Sequence, residues 1–195
     1  MPDAGRVIAG TARSIRLDGP GPGTRPLADR VKQTLFAILE PDLRGAVVLD
    51  LFAGSGAAGI EALSRGAASA TFVERDARTV GVIGANLERT GLADRATLIR
   101  ADAVAWLTDP ARRTGPSFDV VIVDPPYADG ELLLAALTAL TARADLPAIL
   151  APGARVVAKH FWRDAPPARV GLLASDRERR FGETSLTFYR RTEDA

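Results

Sequence analysis

The segment from Val47 to Leu63, VVLDLFAGSGAAGIEAL, decides the fold. Its first residues are an apolar run that reads as a buried strand, and its last ones read as the start of a helix closed by Gly66. Between them stands Gly54-Ser55-Gly56-Ala57-Ala58-Gly59, a literal G-x-G-x-x-G, the spelling of a strand–turn–helix that offers backbone amides to a nucleotide. Glycines there let the chain turn sharply and let a ligand approach the backbone with no Cβ in the way. Yet Asp50 stands just before the glycines. A carboxylate beside a pyrophosphate is unfavourable, so the glycines alone do not say which nucleotide this loop receives.

Outward from the loop, toward the carboxyl terminus, strand and helix patterns alternate. SATFVE reads as a strand and DARTVGVIGANLERTG as a helix ending at Gly91. ATLIRA is a strand, DAVAWLTDPARR a helix, FDVVIVD a strand and GELLLAALTALTAR a helix. FDVVIVD is apolar throughout between its aspartates, as suits a central strand covered on both faces. ARVVAKHF, PARVGLLAS and RFGETSLTFYRR read as three more strands. The alternation predicts a doubly wound, mostly parallel sheet, to which a closing hairpin adds an antiparallel strand.

Toward the amino terminus, GRVIAG and RSIRLDG alternate around a glycine-containing turn and predict a β-hairpin, a ribbon with exposed basic residues. PGPGTRP is a loop that marks a boundary between a hairpin extension, residues 1–22, and the main α/β domain, residues 23–195. The spacing Val31, Leu35, Phe36, Ile38, Leu39 predicts a helix from about Leu27 that Pro41 ends.

The composition of the 195 residues, 47% hydrophobic and 25% charged, is that of an ordinary globular protein. No apolar run reaches the roughly 18 residues of a membrane helix and the first residues lack a signal-peptide core, which leads to the expectation of a cytoplasmic protein. The absence of cysteine excludes disulfides, thiolate nucleophiles and cysteine-bound zinc. The single histidine, His160, argues against a Ser-His-Asp triad, and no metal site is expected. Net charge is +1, but basic residues gather before residue 35 and after residue 154. Basic ends around an acidic centre suit a polyanion at the edges and a cationic cofactor inside.

In a doubly wound fold the ligand sits at the carboxyl ends of the strands. Asp50, Glu74 and Asp102 end three successive strands. A carboxylate at Glu74 can accept both hydroxyls of a ribose, an expectation shared by NAD and S-adenosylmethionine. Asp50 separates the two. A like-charge pair about 4 Å apart, at an effective dielectric near 20, costs about 4 kcal/mol. S-adenosylmethionine has no phosphate and carries a sulfonium and an ammonium, which the same carboxylate favours. Asp102 can accept the exocyclic amine of adenine. The expected cofactor is S-adenosylmethionine, at Asp50, Phe52, Ala53, Gly54, Ser55, Gly56, Gly59, Glu74, Arg75, Asp102, Ala103 and Asp124.

Asp124-Pro125-Pro126-Tyr127 follows the fourth core strand. Two prolines stiffen the strand end and remove two amide donors, leaving the Asp124 carboxylate and the Pro125 carbonyl as convergent acceptors. An amine on a planar base would donate its two hydrogens to them while its ring stacks on Tyr127. Fixed acceptors favour a pyramidal nitrogen and aim its lone pair at the methyl group.

LDLFAGSGAAGIEALSRGA, with DPPY after it and RPLADRVKQTLF before it, resembles the bacterial RsmD family of small-subunit ribosomal RNA guanine-N2 methyltransferases. The resemblance runs from GRVIAG to the closing strand. RPLADRVKQTLF is similar to the family's RPT-x-DRVRE-x-LF, with Leu27 and Ala28 in place of its threonine pair. The resemblance implies a Rossmann-like class I methyltransferase fold, with a mostly parallel seven-stranded sheet and one antiparallel strand. It implies N2-methylation of the guanosine at position 966 of 16S rRNA, within the 30S subunit, by a monomer. Asp124, Pro125, Pro126 and Tyr127 would form the catalytic corner. Arg6, Arg13, Arg16, Arg25 and Arg30 are the RNA-contact candidates. His160, Phe161 and Trp162 are candidates to line the base pocket, and Trp106 is assigned to the core. Two other readings stay open. A DNA adenine-N6 methyltransferase shares the DPPY signature, but 195 residues leave little room for a target-recognition insert. An NAD-dependent dehydrogenase is disfavoured by Asp50 and by DPPY.

Overall fold

The computed structural model of the chain describes residues 3–21, 27–109, 111, 116–126, 130–141 and 149–192. Val47–Leu51 forms β3, flanked in parallel by β4 (Ser69–Glu74) and β6 (Phe118–Val123). β5 (Ala96–Arg100) and β7 (Leu150–Phe161) continue the parallel arrangement on either side. β10 (Thr184–Arg191) inserts antiparallel between β7 and β9 (Leu173–Phe181), and the two-residue β8 (Arg169–Val170) closes that edge. The order is β5-β4-β3-β6-β7-β10-β9-β8, the expected seven strands plus a short eighth. Strand order reverses between β3 and β6, where doubly wound folds open their crevice.

Alternate residues of the central strands feed two cores. Val48, Val120 and Ile122 pack beneath α1 (Asp29–Leu43), α2 (Ala57–Ser64) and α3 (Ala77–Thr90). Leu49, Leu51, Val121 and Val123 pack beneath α4 (Ala103–Thr108) and α5 (Gly130–Thr141), with Trp106 in this second core. FDVVIVD is therefore covered on both faces.

Pro41 does not end α1, which continues to Leu43. Proline has a helix-compatible φ, and so close to the end its missing N–H forfeits one intrahelical bond without needing to sustain further turns. PARVGLLAS is divided by a turn at Gly171-Leu172 into β8 and β9, and RFGETSLTFYRR contains the Gly182-Glu183 turn between β9 and β10. The helix expected over DAVAWLTDPARR stops at Thr108.

β1 (Asp3–Arg6) and β2 (Arg16–Asp18) pair as the expected ribbon, but it is not a free arm. Ala4, Val7, Ala12 and Leu17 are buried in the core beneath α1 to α3. The buried Glu61 carboxylate accepts the amides of Ile8 (2.7 Å) and Ala9 (3.1 Å), while Ser64 Oγ accepts Ala12 N–H (3.0 Å) and donates to the Ala9 carbonyl (2.6 Å). Asn86 joins the ribbon to the glycine loop: its Nδ2 donates to the carbonyls of Asp18 and Ser55, and its Oδ1 accepts Asp18 N–H. A ribbon this small holds no core of its own, so it borrows one from the main domain. The expected boundary at residue 22 lies outside the described residues.

Candidate active site

The cleft at the strand ends has a volume of about 550 Å³ and is built from the predicted segments. Asp50, Phe52, Ala53, Gly54 and Ser55 line it from the β3 end, Glu74 and Arg75 from β4, Asp102 and Ala103 from the α4 entrance, and Asp124, Pro125 and Pro126 from β6. Gly56 and Gly59 do not line it. Gly56 holds the left-handed backbone before α2, with φ 75°, and Gly54 shares that region with φ 55°. A Cβ on Gly59 would run into the Phe72 ring, so this glycine serves helix–strand packing. Phe52, not a glycine, also has φ 59°, a strained backbone at the cleft wall.

The acids are not equivalent. Glu74 bridges two elements, accepting Gly54 N–H (3.0 Å) through Oε2 and Asp76 N–H (3.0 Å) through Oε1. Asp102 caps α4 by accepting Ala105 N–H (2.9 Å). Asp50 lies beneath the loop, 1% exposed, and its Oδ2 accepts Gly59 N–H at 2.8 Å. Burial pushes its carboxyl up to about 8; the Gly59 hydrogen bond opposes this, and the charges of Asp124 and Glu74 add to it. At neutral pH Asp50 is therefore mostly protonated. The like-charge repulsion that argues against a pyrophosphate thus belongs to Glu74 and Asp124, not to an ionised Asp50. A cation in the cleft would draw the Asp50 proton off.

At the Asp-Pro-Pro corner, burial raises the Asp124 carboxyl above its ordinary range, and the Lys159 ammonium pulls it back. Lys159 Nζ lies 2.5 Å from Asp124 Oδ1, and both line the cleft. Lys159 is absent from the residues expected at the site. Strand alternation in ARVVAKHF contains the signal: Val157 faces the first core, so Lys159 shares that face with Asp124 while His160 takes the other. His160 is buried, with Nε2 2.9 Å from Thr187 Oγ1 and Nδ1 2.8 Å from the Phe161 carbonyl, so it is a strand-packing residue and does not line the cleft. Nor do Phe161 and Trp162. Pro20 and Leu27 do, on either side of the 22–26 segment; Leu27 belongs to the RPLADRVKQTLF motif, whereas no motif announces Pro20. Tyr127 and Arg25 lie outside the described residues. Arg6, Arg13, Arg16 and Arg30 are all exposed; Arg6 is paired with Asp29 (3.3 Å) and Arg16 with Asp3 (2.9 Å).

A glycine turn between β3 and α2, acids at successive strand ends and an Asp-Pro-Pro corner on a sheet with one inserted antiparallel strand define a Rossmann-like methyltransferase. The family described as "Conserved hypothetical protein 95" matches residues 5–190, and the chain belongs to it, the RsmD family. Among relatives, "Putative rRNA methyltransferase YlbH" of Bacillus subtilis is 36% identical over 188 residues, covering 95% of this chain and 98% of that one. Ribosomal RNA small subunit methyltransferase D of Escherichia coli is 42% identical over 128 residues, 65% of this chain and 62% of that one. The solved structure of yhhF from Escherichia coli superposes with a TM-score of 0.82 at 34% identity, covering 96% and 97% of the two chains.

Proposed function

We propose that this protein transfers a methyl group from S-adenosylmethionine to the exocyclic N2 of a guanine in 16S rRNA, position 966 by family resemblance. It acts as a cytoplasmic monomer on an assembled or nearly assembled small subunit. The observation that carries this reading is that two sets of acceptors open into one cleft: Glu74 and Asp102 beside the glycine loop, and Asp124 with Pro125 on the facing wall. The name of the Escherichia coli relative supports ribosomal RNA as the substrate class.

The residues present fit the cofactor. The cleft volume lies in the range of small-ligand sites, and its acids suit a cationic nucleoside. When bound, S-adenosylmethionine supplies a methyl group made electrophilic by its sulfonium. Glu74 would accept the ribose hydroxyls and Asp102 the adenine amine. Asp50, neutral while the cleft holds no cation, ionises as positive charge enters. The target guanine must leave its stack to reach the corner. There Asp124 and the Pro125 carbonyl each accept one N–H of the amine, localising its lone pair toward the methyl group. Lys159 holds Asp124 Oδ1, so the amine approaches Oδ2. Asp124 then takes the proton that the methylated nitrogen loses. Tyr127 stacks on the base. Arg6, Arg13, Arg16, Arg25 and Arg30 contact the RNA backbone from the amino-terminal side.

Methyl transfer from labelled S-adenosylmethionine to small subunits lacking the modification, followed by nucleoside analysis, tests the proposal. Label in N2-methylguanosine is expected. Label in N6-methyladenosine of duplex DNA, with none in rRNA, would favour the adenine enzyme instead.

A further inference from the structure

The arginines after residue 154 form a second basic region whose placement depends on strand register. Val123 of β6 pairs with Ala158, so Asp124 stands beside Lys159 of β7. Lys159 pairs with Leu186 of β10, and Leu186 with Arg179 of β9. Asp124, Lys159, Leu186 and Arg179 are thus one row on one face of the sheet. At about 4.8 Å per strand, Arg179 stands roughly 14 Å from Asp124. Arg177 lies two residues back on that face, and both are exposed.

At the end of the same strands, Trp162 carries the Arg180 guanidinium 3.7 Å and the Arg163 guanidinium 4.8 Å from its ring centroid. The turn bearing Trp162 is fixed by hydrogen bonds from Trp162 N–H to the Glu183 carbonyl (3.0 Å) and from Asp164 N–H to the Phe161 carbonyl (2.9 Å). It also lies against the start of α5: a Cβ on Gly130 would lie 3.9 Å from that of Asp164. Of the acids near this tip, Asp176 is engaged by Arg155 and Arg190, while Asp164, Glu178 and Glu183 are exposed among the arginines.

We propose that the β7–β9–β10 tip is the wall on which the RNA strand flanking the target guanine docks. This rests on the methyltransferase reading above. A base extruded into the Asp124 corner leaves its neighbours unstacked, and unstacked bases are received by aromatic rings and guanidinium planes. Arg180 laid over Trp162 is such a platform. Arg180 pairs through Ser185 with His160 and so belongs to the opposite face, where the platform sits at the strand tip, while Arg177 and Arg179 offer phosphate partners on the face that carries Asp124.

The test compares full-length wild type with Arg177→Gln/Arg179→Gln, Trp162→Leu and Trp162→Phe, and with Arg13→Gln on the ribbon. Methyl transfer to small subunits gives kcat and KM, a salt titration of subunit binding gives the slope, and calorimetry with S-adenosylmethionine reports the fold. Each phosphate contact contributes about 0.7–0.9 to the slope of log affinity against log salt, so the double variant should lose about 1.4–1.8. Trp162→Leu should raise KM at least about tenfold, and Trp162→Phe should recover most of it because a stacking face remains. Cofactor affinity should not change. Wild-type slope and KM in the double variant and in Trp162→Leu would overturn the wall while leaving the methyltransferase reading intact. A wild-type protein that neither binds nor methylates the subunit would overturn both.

Discussion

The Lys159–Asp124 pair gives the sharpest handle on the chemistry. Lys159→Met keeps the length of the side chain and removes its charge. Two charges about 4 Å apart at an effective dielectric of 20 interact by about 4 kcal/mol, the scale of such a contact before solvent screening. The side chains are 11% and 22% exposed, so water screens part of it and about 1–3 kcal/mol survives. In the proposed mechanism Asp124 must be ionised to accept the amine and take its proton, so activity should fall as pH drops through its titration. Burial already raises that titration and Lys159 restrains it. Without Lys159 the acid limb of kcat/KM against pH should therefore move toward alkaline pH by about one to two units, at about 1.4 kcal/mol per unit. Lys159→Arg should keep the limb near its wild-type place. The assay is single-turnover methyl transfer to subunits between pH 5.5 and 9, with cofactor affinity measured in parallel. An acid limb unmoved in Lys159→Met, at normal cofactor affinity, would refute the claim that Lys159 sets the ionisation of Asp124.

Asp124→Ala should abolish detectable methyl transfer while cofactor binding, followed by calorimetry, stays within a few fold; near-normal turnover would make the corner merely structural. Because the folded carboxyl of Asp50 titrates near 8, above its unfolded value, the folded state holds the extra proton between about pH 4 and 8. Stability from this group therefore falls as pH rises through that window, and Asp50→Asn should flatten the dependence in denaturant titrations. Cofactor affinity should rise with pH up to about 8 in wild type but not in Asp50→Asn, with proton release visible by calorimetry in buffers of different ionisation enthalpy. Glu61→Ala leaves the Ile8 and Ala9 amides and Arg65 without their shared partner, and should cost about 3–5 kcal/mol in chemical denaturation.

What was legible in the sequence was whatever a period or a motif encodes. The hydrophobic alternation located the strands, and the glycine loop with acids at three strand ends located the cleft. Pairing across strands was not legible. Lys159 reaches Asp124 because β6 and β7 are neighbours in register, although 35 residues separate them along the chain. The same ignorance of packing made His160 a pocket candidate when Thr187 of β10 is its partner. Burial was equally hidden: Asp50 reads as a charge until the loop is seen to close over it.

The ribbon shows how far a local pattern can mislead about mechanics. Alternation and basic residues suggest an arm that could be removed without harm, but Glu61, Ser64 and Asn86 depend on it for their hydrogen bonds. Asn86 also holds the Ser55 carbonyl of the glycine loop. Removing residues 1–20 would therefore uncover a buried carboxylate and release one anchor of the cofactor loop, so a loss of RNA binding in that truncation could not be assigned to Arg6, Arg13 and Arg16. Charge must be removed with the backbone kept. Arg13→Gln does this, since Arg13 is exposed and its ribbon position leaves the Glu61 and Asn86 contacts in place. If Arg13 contacts phosphate, its loss should lower the salt slope of subunit binding by about 0.7–0.9 with no change in melting temperature or cofactor affinity. A wild-type slope would remove Arg13 from the RNA contacts.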